Sequence, residues 1–568
     1  MTILALFLFM IVFTVAGFAV DLMRYDRERV KLQYALDRAV LAAADLDQDL
    51  CPRDVVVDYL AKENLDQYLV GEITVEPDTC GASNARLEGK RLVRASAEME
   101  IGTHFMQWSG VDTLGSRATS VAEESIGNVE ISLVLDVSGS MRGTKLTNLK
   151  TAANDFIDEM TEKSEDGKLS ISIIPYSEQV SIPSFLMNEL NTIGANERAN
   201  CVDFAASDFI TMDFDAYDIT DPDTGTIIRR GSDINQTLHF RDNGSRDYRY
   251  SDNLVSSNTC RRETSTDQRE MAVMQKNAET LKNKITNMQA SGWTSIDVGL
   301  KWGLTLLDDS IQPLVAQMQN NGAPIPSEFG VRPGRNRTSD TLKVLVLMTD
   351  GENTYQHKVN PPYNNDDSMI HWNAGEGSYS VYDEDRLRWA WPNVDITVRL
   401  DDGTRWTRDK YQSIPHDLGE TYTRYRCTSY YDNRCHSVDR SRTLEVPVGG
   451  TTLEQLKWPD VWAHTEKSAI YNLLNHTFGY TYAEDWWAVS STEIGPSTKN
   501  PRVASLCAQA EQQEILIFSI AFEAPSGVKQ LLKDCAVKDG RYYEATGTQI
   551  VGVFDSISAT IQNLRLTQ

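Results

Sequence analysis

Apolar strand-like segments alternate with amphipathic helix-like segments from Asn128 to the end of the chain. Such alternation is typical of a parallel sheet covered by helices on both faces, because parallel strands need long crossover connections. The predicted strands cover 131–135, 169–174, 342–348, 515–521 and 541–545. The predicted helices cover 145–160, 275–288, 294–306, 503–512, 527–533 and 550–564. The pattern therefore predicts an α/β domain with a doubly wound, mostly parallel sheet of about six strands.

Polar side chains follow two of the apolar strands, and another opens the helix predicted over 294–306. They are Asp136, Ser138, Ser140, Thr294 and Asp350. Ligands of open α/β sheets bind beyond the carboxyl ends of the strands, so we expect these side chains to converge there. All of them offer hard oxygen atoms, which suit Mg²⁺ or Mn²⁺ rather than zinc or copper. The sequence thus predicts a divalent-cation site with room for a carboxylate from outside.

The order of these residues resembles a known motif. Asp136-x-Ser138-x-Ser140, then Thr294, then Thr349-Asp350-Gly351 is similar to the metal-ion-dependent adhesion site (MIDAS) of von Willebrand factor A (VWA) domains. The resemblance implies a Rossmann-like VWA domain over 128–568. It also implies that the hydroxyls bind the metal directly, the aspartates directly or through water, and that an acidic side chain of a protein partner completes the shell. Trp293 stands where many members have glycine, which leaves Ser295 as an alternative to Thr294.

The first twenty residues, Met1 to Val20, carry no charge. Twenty helical residues span about 30 Å, the thickness of the hydrocarbon core of a bilayer. A cleaved signal peptide is the alternative, but this segment lacks a basic start and is longer than the usual apolar region of a signal. We therefore predict a retained transmembrane anchor over 1–20.

The next segments predict a stem and a small module. Residues 21–48 continue the helix, with Leu32, Leu36, Ala39 and Ala43 at helical spacing. This face could pack on the following domain or, as in a pilin-like stem, beside other stems. Residues 51–127 combine a helix over 55–68 with a strand over 91–97, which indicates a small α+β module.

The organisation of the whole chain resembles a second family. An apolar anchor, the run Leu32–Ala44 and an A-type domain are similar to TadG-like proteins of the tight-adherence (Flp) pilus system. The ending Leu564–Thr567 resembles that group too. The resemblance implies a single-pass protein of the bacterial inner membrane, with its bulk in the periplasm or at the cell surface. Its members usually carry a short polar stretch before the apolar segment, so we expect the true start to lie upstream of Met1.

Charges and cysteines make opposite predictions for topology. The basic residues after the anchor would place that side in the cytoplasm. Eight scattered cysteines without a CxxC pair instead favour disulfides in an oxidising compartment. We give the cysteines more weight and expect the body of the protein outside the cytoplasm. Pairing of neighbours (51–80, 201–260, 427–435, 507–535) is one of many connectivities.

Two insertions interrupt the α/β pattern, at about 184–265 and 354–500. The second holds eight of the 11 tryptophans, so it is predicted to be folded rather than a disordered linker. These tryptophans could form a core or a binding platform, and we favour a core. In the first insertion, Asp221–Thr226 could bind Ca²⁺, but a hairpin turn is favoured.

Charge and motifs limit the function. With 55 basic and 81 acidic residues, the net charge of −26 argues against nucleic acid as a partner, although it also serves solubility. The chain carries no GxSxG or HExxH motif, and Gly139–Lys145 lacks the order of a phosphate-binding loop. We predict a non-enzymatic, membrane-anchored pilus assembly or adhesion factor that binds a protein partner, such as a component of the pilus machinery, through Mg²⁺ or Mn²⁺. The alternatives are a surface adhesin without a pilus role and a metal-dependent hydrolase that uses the same carboxylates. The hydrolase would need a general base near the metal, and no motif places one there, although Glu352 is close in sequence.

Overall fold

The structure is a computed structural model, and it forms two compact units. It describes residues 2–45, 50–76, 90–125, 127–221, 224–238, 259–260, 262–336, 341–373, 378–390, 397–399, 405–407, 411–412, 420–431, 434–448, 453–536 and 540–565. The first unit comprises Met1–Asn128 with the short segments Ser164–Lys168 and Arg565–Gln568. The second comprises Val129–Lys163 and Leu169–Leu564. Together they make a mixed α/β protein with an apolar N-terminal helix.

The first unit combines one long helix with a three-stranded antiparallel sheet. Its elements are α1 (Thr2–Ala44), α2 (Pro52–Lys62), β1 (Thr74–Glu76), β2 (Lys90–Gly102) and β3 (Thr113–Ser125). The predicted strand 91–97 lies within β2, while the helix predicted over 55–68 ends at Lys62 and gives way to a 3₁₀ turn at Asp66–Tyr68. The stem prediction 21–48 holds as helix to Ala44, and residues 46–49 lie outside the described residues.

The apolar stripe of α1 is used inside this unit. Leu32, Leu36, Ala39 and Ala43 are fully buried in one cluster with side chains of α2, β2 and β3. Because this face already packs on its own module, it is not free to pack beside other stems. Residues 3–16 of α1 are exposed instead.

The second unit carries the remaining elements. Its helices are α3 (Thr144–Glu162), α4 (Ser184–Met187), α5 (Ala278–Thr286), α6 (Ile296–Thr305), α7 (Gln312–Asn320), α8 (Trp458–His464), α9 (Lys467–Phe478), α10 (Tyr480–Ser490), α11 (Pro496–Gln512), α12 (Ser526–Ala536) and α13 (Gln549–Arg565). Its strands up to the second insertion are β4 (Asn128–Asp136), β5 (Leu169–Tyr176), β6 (Thr192–Ile193), β7 (Val202–Asp203), β8 (Asp218–Thr220), β9 (Ile227–Arg229), β10 (Ile234–Gln236), β11 (Ala272–Gln275) and β12 (Thr341–Thr349). The later strands are β13 (Gln356–Val359), β14 (Asp367–Asn373), β15 (Ser378–Asp383), β16 (Arg388–Ala390), β17 (Thr397–Arg399), β18 (Arg405–Thr407), β19 (Tyr411–Gln412), β20 (Glu420–Tyr431), β21 (Arg434–Val448), β22 (Leu453–Lys457), β23 (Ser491–Ile494), β24 (Leu516–Phe522) and β25 (Tyr542–Ala545).

A six-stranded sheet organises this unit, in the order β11-β5-β4-β12-β24-β25. The pairs β4–β5, β12–β24 and β24–β25 are parallel. The edge strand β11 is antiparallel to β5, and it falls at the start of the helix that the sequence predicts over 275–288. That helix, α5, begins only at Ala278, where the Asn277 side chain accepts a hydrogen bond from the Thr280 N–H.

Both faces of this sheet are covered. Successive residues of the central strands belong to two different hydrophobic clusters. Val134 and Leu345 pack with α6 and α11 in one cluster. Leu135 and Val346 pack with α3 and α13 in the other. Strands buried on both faces read as continuous apolar runs, which is why β4 and β12 were visible in the sequence. The carboxyl ends of these two strands carry the candidate site.

The two insertions are folded where the structure describes them. In the first, the Asp221 N–H donates to the Thr226 carbonyl over 2.9 Å and closes the β8–β9 hairpin that the sequence favoured. The second has its own core, in which Trp458, Trp462 and Trp486 are buried with ring centroids 5.8–6.5 Å apart. These three tryptophans therefore serve packing, whereas those at 391 and 406 lie outside the described side chains.

Two of the predicted disulfides are formed. Cys201 pairs with Cys260 in the first insertion, and Cys507 on α11 pairs with Cys535 on α12. The predicted pairs 51–80 and 427–435 involve side chains outside the described residues. Disulfides are consistent with an oxidising compartment.

Candidate functional site

Asp136 ends β4 and is fully buried. Its Oδ1 accepts the Ser138 N–H over 2.8 Å, and its Oδ2 accepts the Thr349 hydroxyl over 2.6 Å. Thr349 ends β12, so this second bond holds the ends of the two central strands side by side. The pairing also fixes the direction in which the Asp136 carboxylate points.

The serine hydroxyls of the loop after β4 contact the Asp350 carboxylate of the loop after β12. The Oγ atoms of Ser138 and Ser140 lie 3.0 Å apart. The Ser140 hydroxyl in turn donates to Asp350 Oδ1 over 2.6 Å. Ser138 and Asp350 are buried, whereas Ser140 is exposed, so the cluster opens to solvent on the Ser140 side.

Thr294 comes to the same place from a third loop. The Gly292 carbonyl accepts the Gly139 N–H over 2.9 Å, and Gly292 has a φ of +89°, which favours glycine. A Cβ placed on Gly351 would lie 3.5 Å from Ser140 Oγ and 3.8 Å from Thr294 Oγ1. Gly351 thus lines a small space between these two hydroxyls, and all the side chains predicted from the sequence lie around one point.

Ser295, the alternative to Thr294, is in contact with a buried lysine. Lys499 of α11 donates to Ser295 Oγ over 2.6 Å, and both side chains are fully buried. Burial lowers the pKa of the Lys499 ammonium to about 8. The Ser295 hydroxyl is therefore engaged away from the cluster, whereas the Thr294 hydroxyl lies beside Gly351 and Ser140.

The electrostatics of the cluster favour an added positive charge. Burial, and then the charge of Asp350, raise the pKa of the Asp136 carboxyl to about 6, against hydrogen bonds from Thr349 and Ser138 that lower it. Two carboxylates that share a site repel each other when both are ionised. Lys145 supplies one positive charge, since its Nζ lies 2.7 Å from Asp350 Oδ2.

The donors are two carboxylates and three hydroxyls, a set of hard oxygens that fits Mg²⁺ or Mn²⁺. Among the residues that the structure describes, no group of three or more His, Cys, Asp or Glu side chains could hold a metal ion. The carboxylate and hydroxyl donors of the cluster contrast with the cysteine and histidine donors typical of structural zinc sites.

Sequence reasoning missed three contributors to this site. Thr349 and Lys145 contact the two carboxylates, and Lys499 fixes Ser295. Thr349 was seen only as part of a motif, and nothing in the sequence pairs Lys145 with a residue 205 positions away. Glu352, the acid named for the hydrolase alternative, lies against Gly527 at the start of α12.

An exposed aromatic group borders the cluster. Trp293 is 37% exposed and Tyr355 is 47% exposed, and their ring centroids lie 6.3 Å apart. The His357 ring lies 6.1 Å from that of Trp293. This group continues from the Thr294 loop into β13, so the second insertion starts beside the candidate site.

Residues 1–46 match the family model described as putative Flp pilus-assembly TadE/G-like. The N-terminal segment is thus similar to TadE/G-like pilus-assembly proteins. The resemblance predicted from the anchor and stem is confirmed for this segment. A search of curated proteins found no match to the chain.

Solved structures similar to this chain include pilus adhesins. The vWF domain of the type V pili tip protein Mfa5 from Porphyromonas gingivalis is 12% identical, with a TM-score of 0.29 over 77% of this chain and 96% of that domain. The pilus adhesin SpaC from Lactobacillus rhamnosus GG is 11% identical, with a TM-score of 0.28 over 83% of this chain and 32% of SpaC. The pilus adhesin RrgA from Streptococcus pneumoniae is 10% identical, with a TM-score of 0.26 over 88% of this chain and 50% of RrgA. The chain spans about a third of SpaC and half of RrgA.

Proposed function

We propose that the chain is a membrane-anchored, non-enzymatic factor of Flp pilus assembly or adhesion. In this proposal the second unit is a doubly wound VWA domain that binds a protein partner through Mg²⁺ or Mn²⁺. The metal ligands are Asp136, Ser138, Ser140, Thr294 and Asp350. Support for the pilus role comes from the TadE/G-like segment, and support for the metal comes from the oxygen cluster.

One observation carries the metal proposal. The Ser140 hydroxyl and the Asp350 carboxylate, 210 positions apart, lie 2.6 Å from each other at the ends of neighbouring strands. Hydroxyls and carboxylates gathered in this way, with the pKa of Asp136 raised by burial and by Asp350, form a polar site that a divalent cation would stabilise.

Each residue has a defined part in the proposed binding. A bound Mg²⁺ would act as a Lewis acid that attracts a carboxylate from the partner. Ser138, Ser140 and Thr294 would offer neutral oxygens, so Asp136 and Asp350 would supply the negative charge that balances the cation. Lys145 beside Asp350 would offset part of that negative charge. Thr349 and the Ser138 N–H orient Asp136, and the exposed Ser140 side is where a partner would approach.

The proposed anchor is the first half of α1. Among the described residues, α1 is the helix long and apolar enough to cross a membrane, with a mean hydropathy of 2.8 over its most apolar window. Its residues 3–16 are exposed, as expected for a segment that meets lipid rather than a protein core. The inner membrane, with the bulk of the chain in the periplasm or at the cell surface, is the location that we propose.

The test combines Asp136→Ala with Asp350→Ala in the full chain. We expect loss of Mn²⁺ binding, measured by calorimetry in detergent, and loss of pilus-dependent attachment of cells. Asp155→Ala, which removes an exposed carboxylate from α3, is the matched control and should retain both. Circular dichroism would confirm that each variant is folded.

Two results would contradict the proposal. If the double variant binds Mn²⁺ as the wild type does, the site assignment is wrong. If the purified protein cleaves esters or peptides and EDTA abolishes the turnover, the non-enzymatic assignment is wrong.

A further inference from the structure

The turn that joins β2 and β3 packs against the apolar half of α1. This aromatic turn, residues 103–111, contains a 3₁₀ helix over Met106–Ser109. A Cβ on Gly17 of α1 would lie 2.7 Å from Cγ of Phe105, so only glycine at position 17 lets the ring come this close. The turn therefore packs on α1 at the position of Gly17.

Aromatic rings continue this contact in both directions. The ring centroids of Phe13 and Phe105 lie 6.1 Å apart, and those of Phe105 and Trp108 lie 5.9 Å apart. Phe9 extends the series, with its centroid 6.2 Å from that of Phe13. The rings form a row that starts on the proposed span and ends at Trp108 on the turn.

Phe105 contacts α1 within the uncharged segment Met1–Val20, at Gly17 and Phe13. With a helical rise of about 1.5 Å per residue, Gly17 lies roughly 5 Å before Val20, the last residue of the uncharged segment, and Phe13 lies roughly 10 Å before it. If this segment crosses a bilayer, Phe105 meets the edge of the hydrocarbon layer. Trp108, which is 70% exposed, then lies at or near the headgroups.

Three backbone N–H groups of the turn are paired with a side chain, as is needed where water is scarce. The Asp21 carboxylate, 2% exposed, accepts the N–H groups of His104, Phe105 and Met106 over 2.7–3.2 Å. Backbone donors that enter a membrane must be paired, because water is not there to receive them. Asp21 provides that pairing from the helix that the turn rests on.

Within the turn, further pairs remove other free polar groups. The Thr103 hydroxyl donates to the Val111 carbonyl over 2.6 Å, and the Ser109 hydroxyl donates to the Met106 carbonyl over 2.7 Å. The exposed Arg24 lies beyond Asp21 on α1, where its guanidinium can meet lipid phosphates. The turn thus exposes one large apolar side chain, Trp108, beside basic charge, and its neighbours Gln107 and Ser109 donate to carbonyls of the turn itself.

We propose that the aromatic turn inserts into the membrane interface beside the anchor, with Trp108 among the headgroups of the lipids. Tryptophan favours this layer because its ring is apolar and its N–H is polar. The turn would fix the depth and tilt of the anchor relative to the β2–β3 sheet. The inference rests on the membrane-anchoring part of the proposed function.

Trp108 gives this proposal a specific optical test, because the other ten tryptophans all follow residue 128. The full chain is reconstituted in vesicles of phosphatidylcholine and phosphatidylglycerol. Part of the phosphatidylcholine is brominated, either near the headgroup or near the chain end. We expect bromines near the headgroup to quench a component of the tryptophan emission, and this component to fall several-fold in Trp108→Phe. The matched control is Trp293→Phe, which removes another exposed tryptophan and should retain the quenched component.

Flotation of the vesicles separates this proposal from the one on which it rests. If the wild-type chain does not float with the vesicles, the anchoring proposal fails and this inference fails with it. If the chain floats but the wild type and Trp108→Phe are quenched equally, the anchor stands and the placement of the turn is wrong. If Trp108 is shielded from both the bromines and aqueous acrylamide, it packs on protein, such as a second copy, and the proposal is again overturned.

Discussion

The ammonium group of Lys145 lies 2.7 Å from Oδ2 of Asp350. The lysine side chain is 23% exposed and the aspartate side chain is fully buried, so the pair is only partly screened by water. A second acid, Glu523, lies 3.9 Å from the same ammonium. Lys145 is therefore a built-in cation at the place where we propose that a divalent cation binds.

Removing this positive charge should strengthen metal binding. We expect Lys145→Met to bind Mg²⁺ or Mn²⁺ roughly three- to tenfold more tightly, which corresponds to about 0.7–1.4 kcal/mol, because the cation no longer meets a like charge. Calorimetric titration of the full chain measures this. Lys150→Met on the same helix is the control, since Lys150 donates to the Thr286 carbonyl instead. Unchanged or weaker affinity in Lys145→Met would show that the two cations do not compete.

The stability of the metal-free protein should depend on the protonation of Asp136. Its pKa of about 6 lies above the ordinary value of 3.8, so the native state holds more protons than the unfolded state between about pH 4 and pH 6. The free energy of unfolding should therefore fall as the pH rises through this window, by on the order of 3 kcal/mol. Urea unfolding in EDTA at a series of pH values measures it.

Asp136→Asn provides the control for this pH dependence. Asparagine keeps an oxygen acceptor but does not titrate, so its stability should be flatter across the same window. Saturating Mg²⁺ should also remove the decline in the wild type, since the cation favours the ionised carboxylate. Equal slopes for the wild type and Asp136→Asn would mean that another group titrates.

Helix α6, which begins just after Thr294, should tolerate no added methyl group at Gly303. A Cβ there would lie 2.4 Å from Val134 Cγ2 and 3.0 Å from Leu345 Cδ1. We expect Gly303→Ala to lower the free energy of unfolding by about 1–3 kcal/mol through overpacking, despite the better helix propensity of alanine. Gly552→Ala in α13, where nothing lies within 4 Å, should instead raise it by about 0.5–1 kcal/mol. Chemical denaturation of both variants compares them, and destabilisation by both would point to a helix effect rather than to packing.

The disulfide between α11 and α12 should contribute measurably to stability. Cys507 and Cys535 close a loop with a sequence separation of 28 residues. We expect Cys507→Ala combined with Cys535→Ala to lower the free energy of unfolding by about 2–4 kcal/mol, because the unfolded chain gains freedom. When both proteins are compared under the same reducing conditions, which also open Cys201–Cys260, the difference between them should shrink. If the variant unfolds at the same denaturant concentration as the oxidised wild type, the bridge adds no stability.

Much of the fold was visible in the sequence because its signals are local. The strand predicted over 131–135 spans Asn128–Asp136, and the strand predicted over 342–348 spans Thr341–Thr349. Both are continuous apolar runs, as expected for strands covered on two faces. The edge strand β11 was missed, because its four residues give no periodic signal and its antiparallel pairing with β5 depends on a partner far along the chain.

For the candidate site, the sequence by itself determined which oxygen-bearing residues stand at the ends of apolar strands and at the start of a helix. It also determined the uncharged segment over 1–20. Only the tertiary structure decided which of these groups meet. In it, Thr349 donates a hydrogen bond to Asp136, Lys145 to Asp350, and Lys499 to Ser295. It also set the Asp21 carboxylate beneath the aromatic turn. The physical reason is that local periodicity records which side of an element is buried, whereas a hydrogen bond between residues far apart in the chain depends on how separate elements pack.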